Sequence, residues 1–313
     1  LNKLKIMEAC VYRSTGSWYL VRNEQGDFLN ARIKGKLKID GITSTNPIAV
    51  GDRVIIETEP GQDDYVINEI LERSNYINRV SPHNKNQHHI VAANLDQSLL
   101  FATLREPKTS LGFIDRFLVT CEAYHVPAVI VFNKTDVYRA RENELLEHVR
   151  SIYESIGYRI FSISVAREEG LKELAQLLKD KTTLLSGHSG VGKSTFINYL
   201  LPELKIRTKE VSGWSGKGLH TTTFAEMYDL PFGGRVIDTP GIRELGLVDI
   251  PRQELSHYFP EMRRQLGDCQ FNNCLHTEEP GCAVRSALEQ GEISPERFIS
   301  YVNILGSIDE KKY

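Results

Sequence analysis

The sequence predicts a multidomain protein: an N-terminal all-β barrel, a central α/β core built on a mostly parallel sheet, and a small helical C-terminal domain held by a metal. Three observations predict it. Short strands punctuated by glycines fill residues 1–72, strand-like and helix-like runs alternate from 90 to 248, and three cysteines crowd beside a histidine within 249–313. At 313 residues the chain is long enough for two or three domains, each burying its own core.

In the first segment, strands are expected at Ile6 to Tyr12, Trp18 to Arg22, Phe28 to Ile33, Arg53 to Glu57 and Tyr65 to Leu71, with no long amphipathic helix among them. Five short strands separated by Gly16, Gly26, Gly35, Gly41, Gly51 and Gly61 fit a small closed barrel of the OB type. Lys3, Lys5, Arg13, Arg22, Arg32, Lys34, Lys36 and Lys38 outweigh Glu8, Glu24 and Asp27, so one face would suit a polyanion. The plainer reading makes Trp18, Tyr19 and Phe28 core residues and the lysines a solvated face. Residues 73–89 contain Pro82 and the polar tract His83 to His89, show no periodicity, and read as a linker; the tract lacks carboxylate or thiolate company for a metal.

The alternating segment predicts strands at Ser98 to Thr103, Ala128 to Phe132, Arg159 to Ile163, Thr182 to Leu185, Phe224 to Tyr228 and Arg235 to Ile237. Helices are expected at Ile114 to Tyr124, Asn143 to Ile156, Leu171 to Lys179 and Ser194 to Leu201. Gly187-His188-Ser189-Gly190-Val191-Gly192-Lys193-Ser194, followed by Thr195, lies between a strand and a helix, where converging amides and a helix N-terminus would cradle phosphates. Lys193 would bridge the β- and γ-phosphates and Ser194 would ligate Mg2+.

Asp238-Thr239-Pro240-Gly241 follows a strand, so Asp238 can reach the magnesium shell and the Gly241 amide can sense a γ-phosphate, as in a switch II. Gly216 to Thr223 has the character of a switch I, and one of Thr221, Thr222 and Thr223 would complete the magnesium shell, with Thr222 preferred. Asn133-Lys134-Thr135-Asp136 ends a buried strand, where a fixed carboxylate could accept two hydrogen bonds from guanine and reject adenine. Ser164-Val165 stands where a second base-contacting loop would be.

These signatures run in a rotated order, base motif first, which implies a circularly permuted GTPase core. Ile242 occupies the place after the switch II glycine where many small GTPases carry a water-orienting glutamine. An aliphatic side chain cannot polarise water, so turnover by the isolated chain is expected to be slow. His220, within switch I, is the candidate for that task, though a histidine there could equally order the loop.

Cys269-x4-Cys274-x-His276-x5-Cys282 offers three thiolates and one imidazole, enough for one closed, structural Zn2+ site; a redox pair or a cluster ligand set are the alternatives. Cys10 and Cys121 stand alone in apolar contexts and read as buried small hydrophobes. Thiolates beside a histidine, with no secretory leader, point to a reducing cytoplasm. The chain begins with Leu rather than Met, which reads as a trimmed or partial chain. Its longest apolar run, Val126 to Phe132, is far too short to cross a bilayer, so no membrane role is expected. Nothing demands more than a monomer.

Taken together, Ala93 to Gln97, Asn133 to Asp136, Gly187 to Thr195, His220 to Thr223, Asp238 to Gly241 and Cys269 to Cys282 resemble the bacterial ribosome small subunit-dependent GTPase A family (RsgA, also called YjeQ or YloQ) over essentially the whole chain. The resemblance implies a factor that binds the 30S subunit, acts late in its maturation and hydrolyses GTP to GDP there. It also implies that 16S rRNA is the polyanion for the barrel and that the switch I histidine takes part in hydrolysis. Leu219 departs from the family pattern, where a polar or basic residue often precedes that histidine, and Gly190 replaces the asparagine of potassium-dependent GTPases. Two rivals stay open: an RNA-binding scaffold with a vestigial GTPase core, and a metabolic P-loop kinase, which would not need Asp136.

Overall fold

The computed structural model describes residues 5–33, 47–58, 64–80, 88–204, 225–239 and 250–308. Strands β1 (Ile6–Ser14), β2 (Trp18–Asn23), β3 (Phe28–Ile33), β4 (Arg53–Thr58) and β5 (Tyr65–Ile70) form the N-terminal barrel. β1 pairs with both β2 and β4, β2 with β3, β3 with β5 in parallel, and β5 with β4, so every strand has two neighbours. Alternation along the strands points Val11, Tyr19, Val21, Val54, Ile56 and Ile67 inward. Of the three aromatics read as possible core, only Tyr19 is buried; Trp18 and Phe28 are 46% and 51% exposed.

The segment expected to be a structureless linker contains part of a hairpin: β6 (Tyr76–Val80) pairs antiparallel with β7 (His88–Ala93). Polar residues on these strands hide the alternation that a sequence reading relies on. What holds the hairpin is tertiary contact, since Ile77 and Ala92 join the central core and the Asn75 side chain bonds both the amide and the carbonyl of Leu95. His83 lies outside the described residues.

The central core runs β8 (Gln97–Ala102), α1 (Leu111–Ala123), β9 (Ala128–Phe132), α2 (Ala140–Ser155), β10 (Arg159–Ser162), α3 (Leu171–Leu178), β11 (Thr182–Ser186), α4 (Lys193–Leu200), β12 (Glu226–Asp229) and β13 (Arg235–Asp238). Strands β10, β9, β8, β11 and β13 are parallel neighbours in that order, and β12 closes the row antiparallel to β13. Alternate residues of β8 feed opposite faces: Leu100 packs with Phe117 and Leu118 of α1 and Tyr153 of α2. Leu99 and Phe101 pack on the other face with Leu174 of α3 and Phe196 of α4. Burial on both faces is why these strands read as continuous apolar runs. α1 starts three residues earlier than its apolar pattern suggests because the Ser110 side chain caps the Phe113 amide.

Barrel and core share one eleven-stranded sheet, because β1 pairs with β12 with Arg13 opposite Glu226. A bulge between Val11 and Arg13 turns Tyr12 out of the barrel and into the central core. Its hydroxyl donates to Asp229 Oδ1 at 2.7 Å, while Arg22 Nη1 donates to Oδ2 at 2.6 Å.

The tail folds as α5 (Pro260–Arg263), α6 (Ala283–Glu289) and α7 (Pro295–Ser307) over its own core of Leu255, Phe259, Met262, Val284, Tyr301, Ile304 and Leu305, joined by Val119 of α1. Ser294 caps α7 through the Arg297 amide with Pro295 in the first turn, as the sequence predicts. Arg297, 1% exposed, reaches back to Asp115 of α1 and Glu261 of α5, stitching tail to core. Among the described residues, no helix is long and apolar enough to cross a membrane.

Candidate functional site

The ends of β9, β10, β11 and β13 meet along one edge of the sheet, the place where ligands bind in folds of this kind. Between β11 and α4, Gly187 (φ +135°) leaves so little space that a Cβ would lie 2.3 Å from the Phe101 carbonyl oxygen. Gly192 (φ +103°) is tighter still, with a Cβ position 2.1 Å from Asn133 Nδ2. Both positions accept glycine alone. The turn they allow leads directly into the amides that open α4.

Lys193 is 7% exposed, and its ammonium donates to the carbonyls of Gly187 at 2.6 Å and His188 at 3.0 Å. Burial pushes it down to about 8, with Asp238 pulling the other way. Asp238, 5% exposed at the end of β13, is pushed up to about 6 by burial, against the pull of Lys193 and the Thr239 amide. Such a dry, charged pair is suited to a polyanion with its cation, which would reverse both shifts. Ser194 is half-buried in the first turn of α4, while Ser189 and Thr195 are exposed.

Asn133 joins the motifs that chain order separates. Its Nδ2 donates to the Val191 carbonyl at 2.8 Å, and its Oδ1 accepts from the Val165 amide at 3.2 Å. Ser164 Oγ donates to Asp136 Oδ1 at 2.6 Å, and Thr135 Oγ1 donates to the Ile163 carbonyl at 3.1 Å. Lys134 adopts left-handed backbone (φ +63°) and its ammonium bonds the Glu106 carbonyl at 2.6 Å. The structure therefore brings together Gly187 to Ser194, Asn133 to Asp136, Ser164, Val165 and Asp238. His220, Thr222 and Gly241 lie outside the described residues.

Sequence reasoning missed two neighbours of this site. Phe113 of α1 stacks on His188 with ring centroids 3.8 Å apart, and Glu106 receives Lys134. Neither carries a motif, and both are far along the chain from what they touch, so only the fold could reveal them.

In the tail, Cys269, Cys274, His276 and Cys282 place their ligand atoms within 4.8 Å of one another. His276 Nδ1 faces the thiols, 3.6 Å from Cys269 Sγ and 3.4 Å from Cys282 Sγ. Glu279 fixes the knuckle by accepting the amides of Leu275, Thr277 and Glu278; burial would raise its carboxyl, yet these amides hold it down to about 2. All five cysteines are free thiols. Three sulfurs and one imidazole nitrogen gathered within 4.8 Å of one another supply four donors, enough to fill a tetrahedral metal site with no position left for water.

Comparison with known proteins agrees with this geometry. A family model described as RsgA GTPase matches residues 70–248, and one described as RsgA N-terminal domain matches residues 8–66. A small ribosomal subunit biogenesis GTPase RsgA from Flavobacterium psychrophilum is 48% identical over 306 residues, covering 97% of this chain and 94% of its own. Its namesake from Cytophaga hutchinsonii is 51% identical over 300 residues, 96% of this chain and 98% of its own. The crystal structure of YjeQ from Thermotoga maritima is similar with a TM-score of 0.77 at 33% identity, over 96% of this chain and 98% of that one. YloQ, described as a circularly permuted GTPase, follows at 0.74 and 29%, over 99% and 97%.

Proposed function

We propose a function from one premise: this chain belongs to the RsgA family of small ribosomal subunit biogenesis GTPases. It is a GTPase of that process, and we assign its chemistry as follows. The observation that carries the assignment is Asn133, whose side chain ties the phosphate loop to both base-side loops in a chain whose motifs run in permuted order.

Asp136 reads the guanine N1–H and amine with its two carboxylate oxygens, and Ser164 orients the group by donating to Oδ1. Lys193 leaves the two loop carbonyls to meet the β- and γ-phosphates, and the amides from Gly187 to Ser194 and Thr195 surround them. Ser194, Asp238 and Thr222 hold Mg2+, which when bound neutralises charge developing on the phosphate oxygens. The Gly241 amide meets the γ-phosphate, and His220 orients the attacking water where Ile242 cannot. His220→Ala is expected to lower kcat roughly 100-fold while GTP affinity stays within about twofold. Stopped-flow binding and single-turnover hydrolysis check this, and equal loss of both would remove His220 from catalysis.

The barrel docks on the 30S subunit through 16S rRNA. Exposed Trp18 and Phe28 offer faces for bases, and the Arg22 guanidinium already lies 5.5 Å from the Phe28 ring centre. Because β1 pairs with β12, the strand between the two switch sequences, docking can bias the hydrolytic site; the protein works as a cytoplasmic monomer late in subunit maturation. GTP turnover measured with and without purified 30S subunits tests the reading. Strong stimulation is expected, and no turnover under either condition would favour the RNA-binding scaffold.

Zn2+ fits the Cys3His set and would hold the tail together as a structural ion with Cys269, Cys274, His276 and Cys282 as its ligands. Chelation is expected to expose residues 250–308 to protease while the barrel stays protected. A tail that remains protected after verified metal loss would refute the structural role.

A further inference from the structure

The base-side loop leaves β9 at Asn133, passes through left-handed Lys134 and a single tight turn at Thr135–Val137, and returns to the core at Tyr138. The Tyr138 ring is 9% exposed and packs in the central core, but its hydroxyl points at backbone alone. It donates to the carbonyl of Asn133 at 2.9 Å and accepts from the amide of Leu104 at 2.9 Å. One hydroxyl thus closes the loop on its own first residue and fastens it to the chain that follows β8. The Lys134 ammonium makes a second tie to the same chain, at Glu106. Asp136 sits between these two anchors in sequence and is steadied from the far side by Ser164.

Burial raises the Tyr138 phenol to about 12, so it stays a neutral donor throughout the physiological range. Leu104 and Asn133 are 5% and 2% exposed, so water cannot readily replace the hydroxyl at either backbone group.

We propose that Tyr138 is a positioning residue for guanine selectivity: its hydroxyl holds the Asn133–Asp136 loop in the geometry that lets Asp136 engage both guanine donors at once. The inference rests on the reading of Asp136 given above. Two simultaneous hydrogen bonds demand an aligned carboxylate, whereas a single bond tolerates a shifted one. Guanine, with N1–H and an exocyclic amine, therefore depends on this alignment more than hypoxanthine, which lacks the amine. Tyr138 holds the backbone carbonyl of Asn133, whereas the Asn133 side chain keeps its own bonds to Val191 and Val165, so the phosphate loop stays tied and chemistry at saturating nucleotide should be spared.

The test is Tyr138→Phe, which keeps the ring and removes only the hydroxyl, compared by calorimetry with the parent chain for GDP, IDP and ADP in Mg2+. Tyr158→Phe serves as control, because it also removes a hydroxyl from a buried ring, there bonded to Glu122 away from the nucleotide. Expected is an about tenfold loss of GDP affinity, an about fivefold fall in the GDP/IDP affinity ratio, and single-turnover GTP hydrolysis at saturation within about twofold of the parent. The control should leave the ratio unchanged. A misfolded fraction lowers binding stoichiometry and not the ratio, so destabilisation alone cannot mimic the result. An unchanged GDP/IDP ratio in Tyr138→Phe overturns the proposal, and so does an equal fall in the control. A parent chain that fails to prefer GDP over ADP would instead overturn the guanine reading itself.

Discussion

Arg297→Ala is expected to destabilise the protein by about 3–5 kcal/mol, among the largest effects any single side chain here can produce. The guanidinium is 1% exposed and donates from Nη1 to Asp115 Oδ1 at 2.6 Å, from Nε to Glu261 Oε1 at 2.6 Å and from Nη2 to Glu261 Oε2 at 3.2 Å. Phe259 lies beneath it, its ring centre 4.5 Å from the guanidinium carbon, and the Tyr153 hydroxyl donates to the same Asp115 oxygen at 2.6 Å. Burial would weaken the cation, but the two carboxylates more than offset that and hold it firmly charged. Removing it strands two carboxylates that are 1% and 3% exposed, with no water to solvate them. Urea denaturation followed by far-UV circular dichroism measures the loss. The cost belongs to the stranded charges, so replacing all three partners together (Arg297→Met, Asp115→Leu, Glu261→Met) should restore much of it. A single-variant loss below about 1 kcal/mol would show that the network is not the join between tail and core.

Gly192→Ala is expected to abolish useful nucleotide binding, with at least about a 100-fold loss of GDP affinity, while the fold survives. The new methyl would sit 2.1 Å from Asn133 Nδ2 on backbone with φ +103°, so either the strained turn opens or Asn133 releases Val191. Each outcome separates the phosphate loop from the base-side loop. Gly112→Ala is the matched comparison: it lies in α1 with nothing within 4 Å of its Cβ position, and should bind normally and gain slightly in stability. Wild-type affinity in Gly192→Ala would mean that the contact with Asn133 is not part of the binding geometry.

Much of this was legible in the chain because the signals are local. The phosphate loop, base motif and Cys3His set each fall within a short stretch, and their spacing states their chemistry. The strands from β8 to β13 carry apolar runs because both sheet faces are covered, and their order follows from alternation with helices. What stayed hidden depends on contacts between distant residues. The β6–β7 hairpin clusters its apolar residues and does not alternate them with polar ones, so it carries no strand period, and it is held by Asn75, Ile77 and Ala92. The bulge that turns Tyr12 outward leaves no mark in composition, and Tyr138 looks like any core tyrosine until its hydroxyl is placed.

The seam between β1 and β12 has a further consequence for solubility. A bare strand at the border of a sheet offers unsatisfied amides and carbonyls to any passing chain, which is how ordered aggregates begin. Here the barrel occupies that border, and Arg13 opposite Glu226, with an ion pair at 3.4 Å, covers the exposed rung. A fragment beginning after the barrel would therefore present β12 uncovered, and self-association through that strand would compete with its folding.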